Sequence, residues 1–282
     1  MAHIGIIGVG SYVPPHEMSN DDWAEIVDTS DEWITTKTGM KKRRIADSDV
    51  CTSDLAVEAC KVALENSGLK VSDIDLIILA TSSPDVPMSS TAGIVQDKLG
   101  CIDCVAFDIN AVCAGWVHAL DIGSRFAGTE GYENVLVVGS EVYSRILNWR
   151  DRSTCVLFGD GAGAVVLSKV PEGKGIIGSW MMSDGSGSSV IEIPAGGTRI
   201  PIPSEGFEEG MQYFHMDGRA VWDFAIEAFP QAVLSVLERC GKTIDEVDLI
   251  IPHQAKLNIR EKGMEKLGLP RGQTFTTLHK YG

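Results

Sequence analysis

The sequence predicts an α/β protein made of two copies of one unit, and three observations predict it. Short apolar runs of buried-strand length alternate with stretches patterned like helices. The stretch LENSGLKVSDIDLII (Leu64–Ile78) aligns without gaps on LERCGKTIDEVDLII (Leu237–Ile251), an offset of 173. GIIG occurs at Gly5–Gly8 and again at Gly175–Gly178, an offset of 170. Two matches in order at nearly one offset point to a duplication, with a first half over residues 1–170 and a second over residues 171–282, the alternative being two ordinary helix-strand units of one α/β protein.

The elements follow in chain order. Ile4–Val9 reads as the first strand. Gly8-Val9-Gly10 follows it but lacks the third glycine of a dinucleotide loop, and Pro14-Pro15 blocks an immediate helix. Ser11–Val50 is a turn-rich excursion, Ser53–Asn66 a helix and Leu76–Ala80 a strand buried on both faces. Val105–Ile109 is the next strand, Ala114–Phe126 a helix of small residues and Val135–Gly139 another strand. In CVLFGDGAGAVVL (Cys155–Leu167) two β-prone runs flank an Asp-Gly turn, which predicts a hairpin. The second half repeats the plan: an early strand at the second GIIG, an excursion over Met181–Gly218, a helix, then a buried strand before Pro252. Shifted by 173, the strand at Val105–Asn110 falls on positions 278–283, and the sequence ends at Gly282. The second half is therefore expected to be incomplete, short of a strand-helix unit and a closing hairpin.

Composition narrows the function. Apolar residues make up 44% and charged residues 22% of 282 positions, as in ordinary globular proteins. A net charge of −15 argues against nucleic acid or an anionic membrane surface as partner. No apolar stretch approaches the roughly 20 residues that span a bilayer, and the start MAHIGIIGVGSYVPP has neither a basic n-region nor a small-residue cleavage site. Seven scattered cysteines make a disulfide framework improbable and favour a reducing, cytoplasmic setting. Cys101 and Cys104, in GCIDC, have no second ligand pair at zinc spacing, so no metal is expected.

The chemistry centres on VAFDINAVCAGWVHAL (Val105–Leu120). Cys113 falls where a strand turns into a helix. At a helix tip, unsatisfied N–H groups and the positive end of the dipole favour thiolate, and Ala114-Gly115 leave the turn uncrowded. A small buried cysteine would sit there equally well. His253, in DLIIPHQAKLNIR, directly follows the second repeat's strand. A histidine and a cysteine at strand ends of one sheet can serve one reaction, and a lone histidine can also be structural.

The motifs together resemble the β-ketoacyl-acyl carrier protein synthase III family of condensing enzymes. They are TSDEWITTKTG (Thr29–Gly39), AVCAGW (Ala111–Trp116), FGDGAGAVVL (Phe158–Leu167) and IIPHQA (Ile251–Ala255), and the terminal HKYG is similar to the segment preceding the family's catalytic asparagine. The resemblance implies the thiolase fold: duplicated βαβ halves in a five-layered αβαβα arrangement, here with the second half incomplete, and usually a homodimer. It implies no resident cofactor, coenzyme A thioester being a substrate. Cys113 would carry the acyl group from acyl-coenzyme A, most simply acetyl, and malonyl-acyl carrier protein would be the second substrate. His253 would donate to the malonyl thioester oxygen. Trp33, Arg152 and Trp222 match family contacts to coenzyme A, and Met88 matches a side chain at the floor of the acyl pocket.

The departures from the family pattern are specific. Lys37 stands for an arginine at the adenine site and loses its planar stack. Lys256 replaces an asparagine and Asn258 the usual carrier-contacting arginine, leaving Lys256 and Arg260 to dock an acidic carrier. The run Lys41-Lys42-Arg43-Arg44 reads as a solvated face or a phosphate attractor. These changes leave room for an acyltransferase of secondary metabolism, or a non-catalytic partner subunit.

Overall fold

The computed structural model describes residues 3–282. Its strands are β1 (Ile4–Tyr12), β2 (Glu17–Ser19), β3 (Lys42–Arg44), β4 (Leu76–Ala80), β5 (Val105–Ile109), β6 (Val135–Val142), β7 (Asp160–Lys169), β8 (Ile191–Glu192) and β9 (His215–Met216). Its α-helices are α1 (Asn20–Ala24), α2 (Asp31–Thr38), α3 (Thr52–Ser67), α4 (Thr91–Leu99), α5 (Gly115–Phe126), α6 (Gly218–Arg239), α7 (Leu257–Lys266) and α8 (Leu278–Tyr281). They group into two compact units: residues 1–16, 44–142 and 160–179, and residues 17–43, 143–159 and 180–282.

The first unit is a five-stranded sheet in the order β1-β7-β6-β4-β5. β4 pairs in parallel with β5 and β6, and β7 runs antiparallel between β6 and β1. Alternation within β4 splits the core. Ile77 and Leu79 face a cluster with Leu55, Ala59 and Ala63 of α3, while Leu76, Ile78 and Ala80 face one with Ala119 of α5. Each such aliphatic side chain taken from water contributes about 1.5–3 kcal/mol. The predicted strands over Leu76–Ala80 and Val105–Ile109 form with those bounds, and the others extend by a few residues. Gly8 and Gly10 have a packing role: a Cβ on them would lie 2.3 Å from the Ala63 carbonyl oxygen and 2.1 Å from that of Ala59. Their bareness lets α3 lie directly on β1.

Two expectations are corrected here. Cys155–Leu167 is no hairpin: Cys155–Leu157 forms a 3₁₀ turn and Asp160–Lys169 one continuous strand. The Asp-Gly pair lies inside that strand, opposite Val142 and Glu141, because the Asp160 carboxylate accepts the Ala46 N–H at 2.7 Å and is held buried. Nor does the second GIIG form a strand. The Ile176 N–H donates to the Ile4 carbonyl at 2.7 Å, and the segment follows the edge of β1 without a ladder.

The second unit contains α1, α2, the small sheets β2-β3 and β8-β9, and α6 to α8. Tyr143, Phe158 and Phe214 pack with centroids 4.9–5.8 Å apart. The second copy of the repeat keeps its turn. Gly68 after α3 and Gly241 after α6 both take positive φ, 74° and 63°. The Lys70 N–H then donates to Asp73 at 2.8 Å, and the Thr243 N–H to Glu246 at 2.9 Å. It does not keep its strand: Ile250 makes one parallel bridge to Thr274. α6, at 22 residues, is long and apolar enough by length and composition to cross a membrane, a test that core helices of soluble proteins pass as well. Asp223 and Glu227 interrupt the run in sequence, whereas the helix as a whole reaches the length.

Candidate functional site

Cys113 sits on a strained elbow. The Thr81 N–H, just past β4, donates to the Ile109 carbonyl at the end of β5 (3.2 Å). Asn110 Oδ1 then accepts the Val112 N–H at 3.3 Å. Val112 is the only non-glycine residue with positive φ among the described residues, at 47°. A β-branched residue there costs on the order of 1–3 kcal/mol, a strain found at functional turns. Val112–Ala114 forms a 3₁₀ turn and α5 starts at Gly115, where a Cβ would lie 3.3 Å from Ala80. The elbow thus rests on the end of β4, and Cys113 is exposed to solvent.

Its electrostatics differ from the expectation of a helix-tip thiolate. Burial by surrounding protein pushes the Cys113 thiol up, its own backbone N–H opposes this, and the charge of Glu141 adds to the rise. The sulfur stands in the 3₁₀ turn ahead of α5, where desolvation and a like charge both favour the protonated thiol. Solvent reaches the residue, and the crowding decides the direction.

Glu141 is the residue that sequence reasoning missed. Its carboxylate, on β6, accepts from the Ser82 N–H and Oγ at 2.9 Å each, from the Ser83 N–H at 3.0 Å, from the Ser83 hydroxyl and from Thr81 Oγ1 at 3.2 Å. Burial pushes it up against those bonds. An acid ending a buried strand, in VLVVGSE, was the available signal.

Of the other residues singled out, Met88 belongs to the first unit and is 91% exposed. The second unit brings Trp33 and Arg152 together, with the guanidinium carbon 5.4 Å from the indole centroid. Arg152 Nη1 also donates to the Asp28 carbonyl at 2.6 Å. A guanidinium over an indole is a cation–π pair. Lys37 lies exposed one turn beyond Trp33 on α2, and Trp222 is half-buried on α6. His253 is exposed to solvent, yet desolvation by the surrounding protein pushes its pKa down, favouring the neutral ring. Lys256 caps the start of α7, and burial pushes its ammonium down.

Arg260 is a correction. Its side chain is buried, 8% exposed, with Nε lacking a partner, so α7 does not present it for docking. Cys101 and Cys104 are buried thiols bonded to carbonyls, the former pushed up to about 12. Among the described residues no group of three His, Cys, Asp or Glu side chains could hold a metal ion.

The first unit is a mixed α/β sheet that ends in an exposed cysteine on a strained strand-to-helix elbow, and the match to solved synthase III structures gives the class, thiolase-fold proteins. The chain matches 3-oxoacyl-[acyl-carrier-protein] synthase III from Aquifex aeolicus with a TM-score of 0.89 at 40% identity, over 99% of this chain and 85% of that one. It matches the synthase III from Thermus thermophilus with a TM-score of 0.91 at 38% identity, again over 99% and 85%. The β-ketoacyl-[acyl-carrier-protein] synthase III of Caldanaerobacter subterraneus is 49% identical over 278 residues, 99% of this chain and 84% of that protein. The family descriptions 3-oxoacyl-[acyl-carrier-protein] synthase III and its C-terminal part match residues 107–185 and 237–282. The chain belongs to the β-ketoacyl-[acyl-carrier-protein] synthase III family.

Proposed function

We propose that the protein condenses an acyl-coenzyme A, most simply acetyl-coenzyme A, with malonyl-acyl carrier protein, the step that initiates fatty acid synthesis. Cys113 attacks the thioester carbonyl, a new thioester forms on its sulfur, and coenzyme A leaves as the thiol. Malonyl-acyl carrier protein then loses carbon dioxide, and the resulting enolate attacks the acyl-Cys113 carbonyl. Carbon–carbon bond formation returns the sulfur and releases the β-ketoacyl carrier protein.

The residues divide this work. The neutral ring of His253 donates a hydrogen bond to the malonyl thioester oxygen as charge grows there. The Cys113 backbone N–H serves the acyl carbonyl. Trp33 and Arg152 hold the adenine end of coenzyme A, Lys37 contacts its phosphates, Trp222 lines the pantetheine path and Met88 borders the acyl pocket. Lys256 supplies positive charge for an acidic carrier. The assignment carries with it a five-layered fold of two halves, residues 1–170 and 171–282, a homodimer and a cytoplasmic setting; the turns repeated at Gly68 and Gly241 support the duplication.

The single observation that carries this reading is the Cys113 elbow: an exposed cysteine on a strained turn at the end of a parallel strand. Intact-mass analysis after acetyl-coenzyme A is added tests it. One acetyl adduct is expected, absent in Cys113→Ala; an adduct that survives the substitution, or none in the wild type, sinks the reading.

A second reading has its own observation. Burial of Arg260, with Asn258 two residues before it in sequence, weakens the carrier-docking face and favours an acyltransferase whose acceptor is a small alcohol or amine. Product formation from malonyl-acyl carrier protein decides between them.

A further inference from the structure

The basic run over Lys41–Arg44 divides: Lys41 and Lys42 are exposed and ion-paired, whereas Arg43 is buried. Lys41 pairs with Asp31 at 2.8 Å and Lys42 with Glu17 at 2.5 Å. Arg43 is fully buried, 0% exposed. Its guanidinium makes no ion pair with a carboxylate among the described residues, and burial lowers its pKa to about 10. A cation held there at such cost is a feature that packing alone does not explain.

Its hydrogen bonds show what it joins. Arg43 Nε donates to the Val156 carbonyl at 2.9 Å, and Nη2 donates to the same oxygen. Nη1 donates to Asn20 Oδ1. The Asn20 amide in turn donates to Asp31 Oδ1 at 2.8 Å, to Thr35 Oγ1 at 3.3 Å and to the Met40 carbonyl at 2.9 Å. Asp31 and Thr35 lie on α2, two residues before and two after Trp33. Val156 lies in the 3₁₀ turn Cys155–Leu157, and the Cys155 N–H donates back to the Asp151 carbonyl at 2.9 Å, beside Arg152.

We propose that Arg43 and Asn20 are positioning residues: a buried strut that sets the separation of Trp33 and Arg152 and so shapes the grip on coenzyme A. The inference rests on the reading of Trp33 and Arg152 as the coenzyme A contacts. Both strut residues are buried, away from any surface that could meet the ligand. The planar fork suits the task, since two donors close on one carbonyl while a third points along the chain to Asn20, and a lysine cannot reproduce this.

The test is steady-state kinetics with acetyl-coenzyme A, together with quenching of tryptophan fluorescence by coenzyme A. Trp33→Ala, Arg43→Lys and Asn20→Ala are compared with the wild type. Losing one buried, charge-assisted bond set is expected to raise KM for acetyl-coenzyme A about tenfold in Arg43→Lys, and less in Asn20→Ala. Turnover at saturation and the rate of Cys113 alkylation should stay within about twofold, a split that a general loss of fold would not give. If Trp33→Ala weakens binding and Arg43→Lys does not, the strut is wrong and the contact assignment stands. If Trp33→Ala has no effect, the contact assignment itself falls and takes the strut with it. Should Arg43→Lys fail to fold, Asp31→Ala decides: it removes the acceptor on α2 from a surface position, and an unchanged KM overturns the proposal.

Discussion

The two copies of the repeat carry nearly the same apolar letters and meet different fates. Leu76, Ile77 and Ile78 form the centre of a sheet, each 0% exposed, with β5 on one side and β6 on the other. Leu249, Ile250 and Ile251 are 51%, 8% and 70% exposed, and share one bridge with Thr274. The helix ends before them behave alike, with Gly68 and Gly241 both left-handed and an acid capping the turn that follows. Turn chemistry is written locally, in a glycine and an acid a few residues apart. A strand is not, because its hydrogen bonds and one whole face come from elsewhere in the chain.

The comparison can be broken by pairing substitutions at the offset of the repeat. Ile78→Ala should cost about 2–5 kcal/mol, the usual range for a buried aliphatic truncated to alanine. Ile251→Ala should stay within about 0.5 kcal/mol, as for an open surface position. Urea unfolding of the two variants measures both. Equal losses would mean that the second run is packed in solution as tightly as the first. Smaller, and equal in the two copies, is the effect expected at the glycines. Gly68→Ala and Gly241→Ala should each cost about 1–2 kcal/mol, since an L-residue must enter the left-handed region at either site. A loss at one glycine only would show that the turns are not equivalent.

The same contrast explains what could be read from the letters. β4 was legible to the residue because a parallel strand buried on both faces is short and uniformly apolar, and β5, half-buried at the edge of the sheet, was legible from its own short β-prone run. The continuous strand over Asp160–Lys169 was not, since Asp-Gly is the strongest local turn signal and only a remote donor, the Ala46 N–H, keeps Asp160 in place. Cys113 was legible as a residue on a strand-to-helix turn. Its ionisation was not, because the groups that govern it, protein bulk and Glu141, are brought there by β6. Trp33 and Arg152 are more than a hundred positions apart, and nothing in the local pattern of either pairs them. The buried state of Arg43 and Arg260 was hidden for the opposite reason: arginine is so seldom buried that sequence reads it as surface.

Ionisation sharpens the comparison between the units at opposite ends of the pH scale. In the second unit His253 has a folded pKa below its ordinary 6.5, so the unfolded chain takes up its proton first as pH falls. Its contribution therefore destabilises the fold progressively below pH 6.5 and is absent above it. In the first unit the Cys113 pKa is above its ordinary 9.0, so the unfolded chain loses that proton first as pH rises, and the penalty appears above pH 9.0. Thermal unfolding across pH should show His253→Asn gaining on the wild type only at the acid end, and Cys113→Ala only at the alkaline end. Differences that persist at neutral pH would assign both effects to packing.

The smallest effect expected, and the most informative about the elbow, is that of Glu141. Its charge acts on the Cys113 thiol, and it acts against thiolate. Glu141→Gln removes the charge and keeps one oxygen, which can accept from the Ser82 N–H in the Oε1 position or from the Ser83 N–H in the Oε2 position, but not from both. The pH profile of Cys113 alkylation by iodoacetamide, read by intact mass, should therefore move to lower pH, with faster modification near neutrality. A profile that stays in place while the unfolding temperature drops would make Glu141 a tie between β6 and the turn after β4 and nothing more. A shift without loss of stability would show that the strand end sets the reactivity of the sulfur through charge. The acid would then hold the thiol protonated at rest, so that thiolate forms only as the acyl thioester arrives and the proton can leave with the departing coenzyme A.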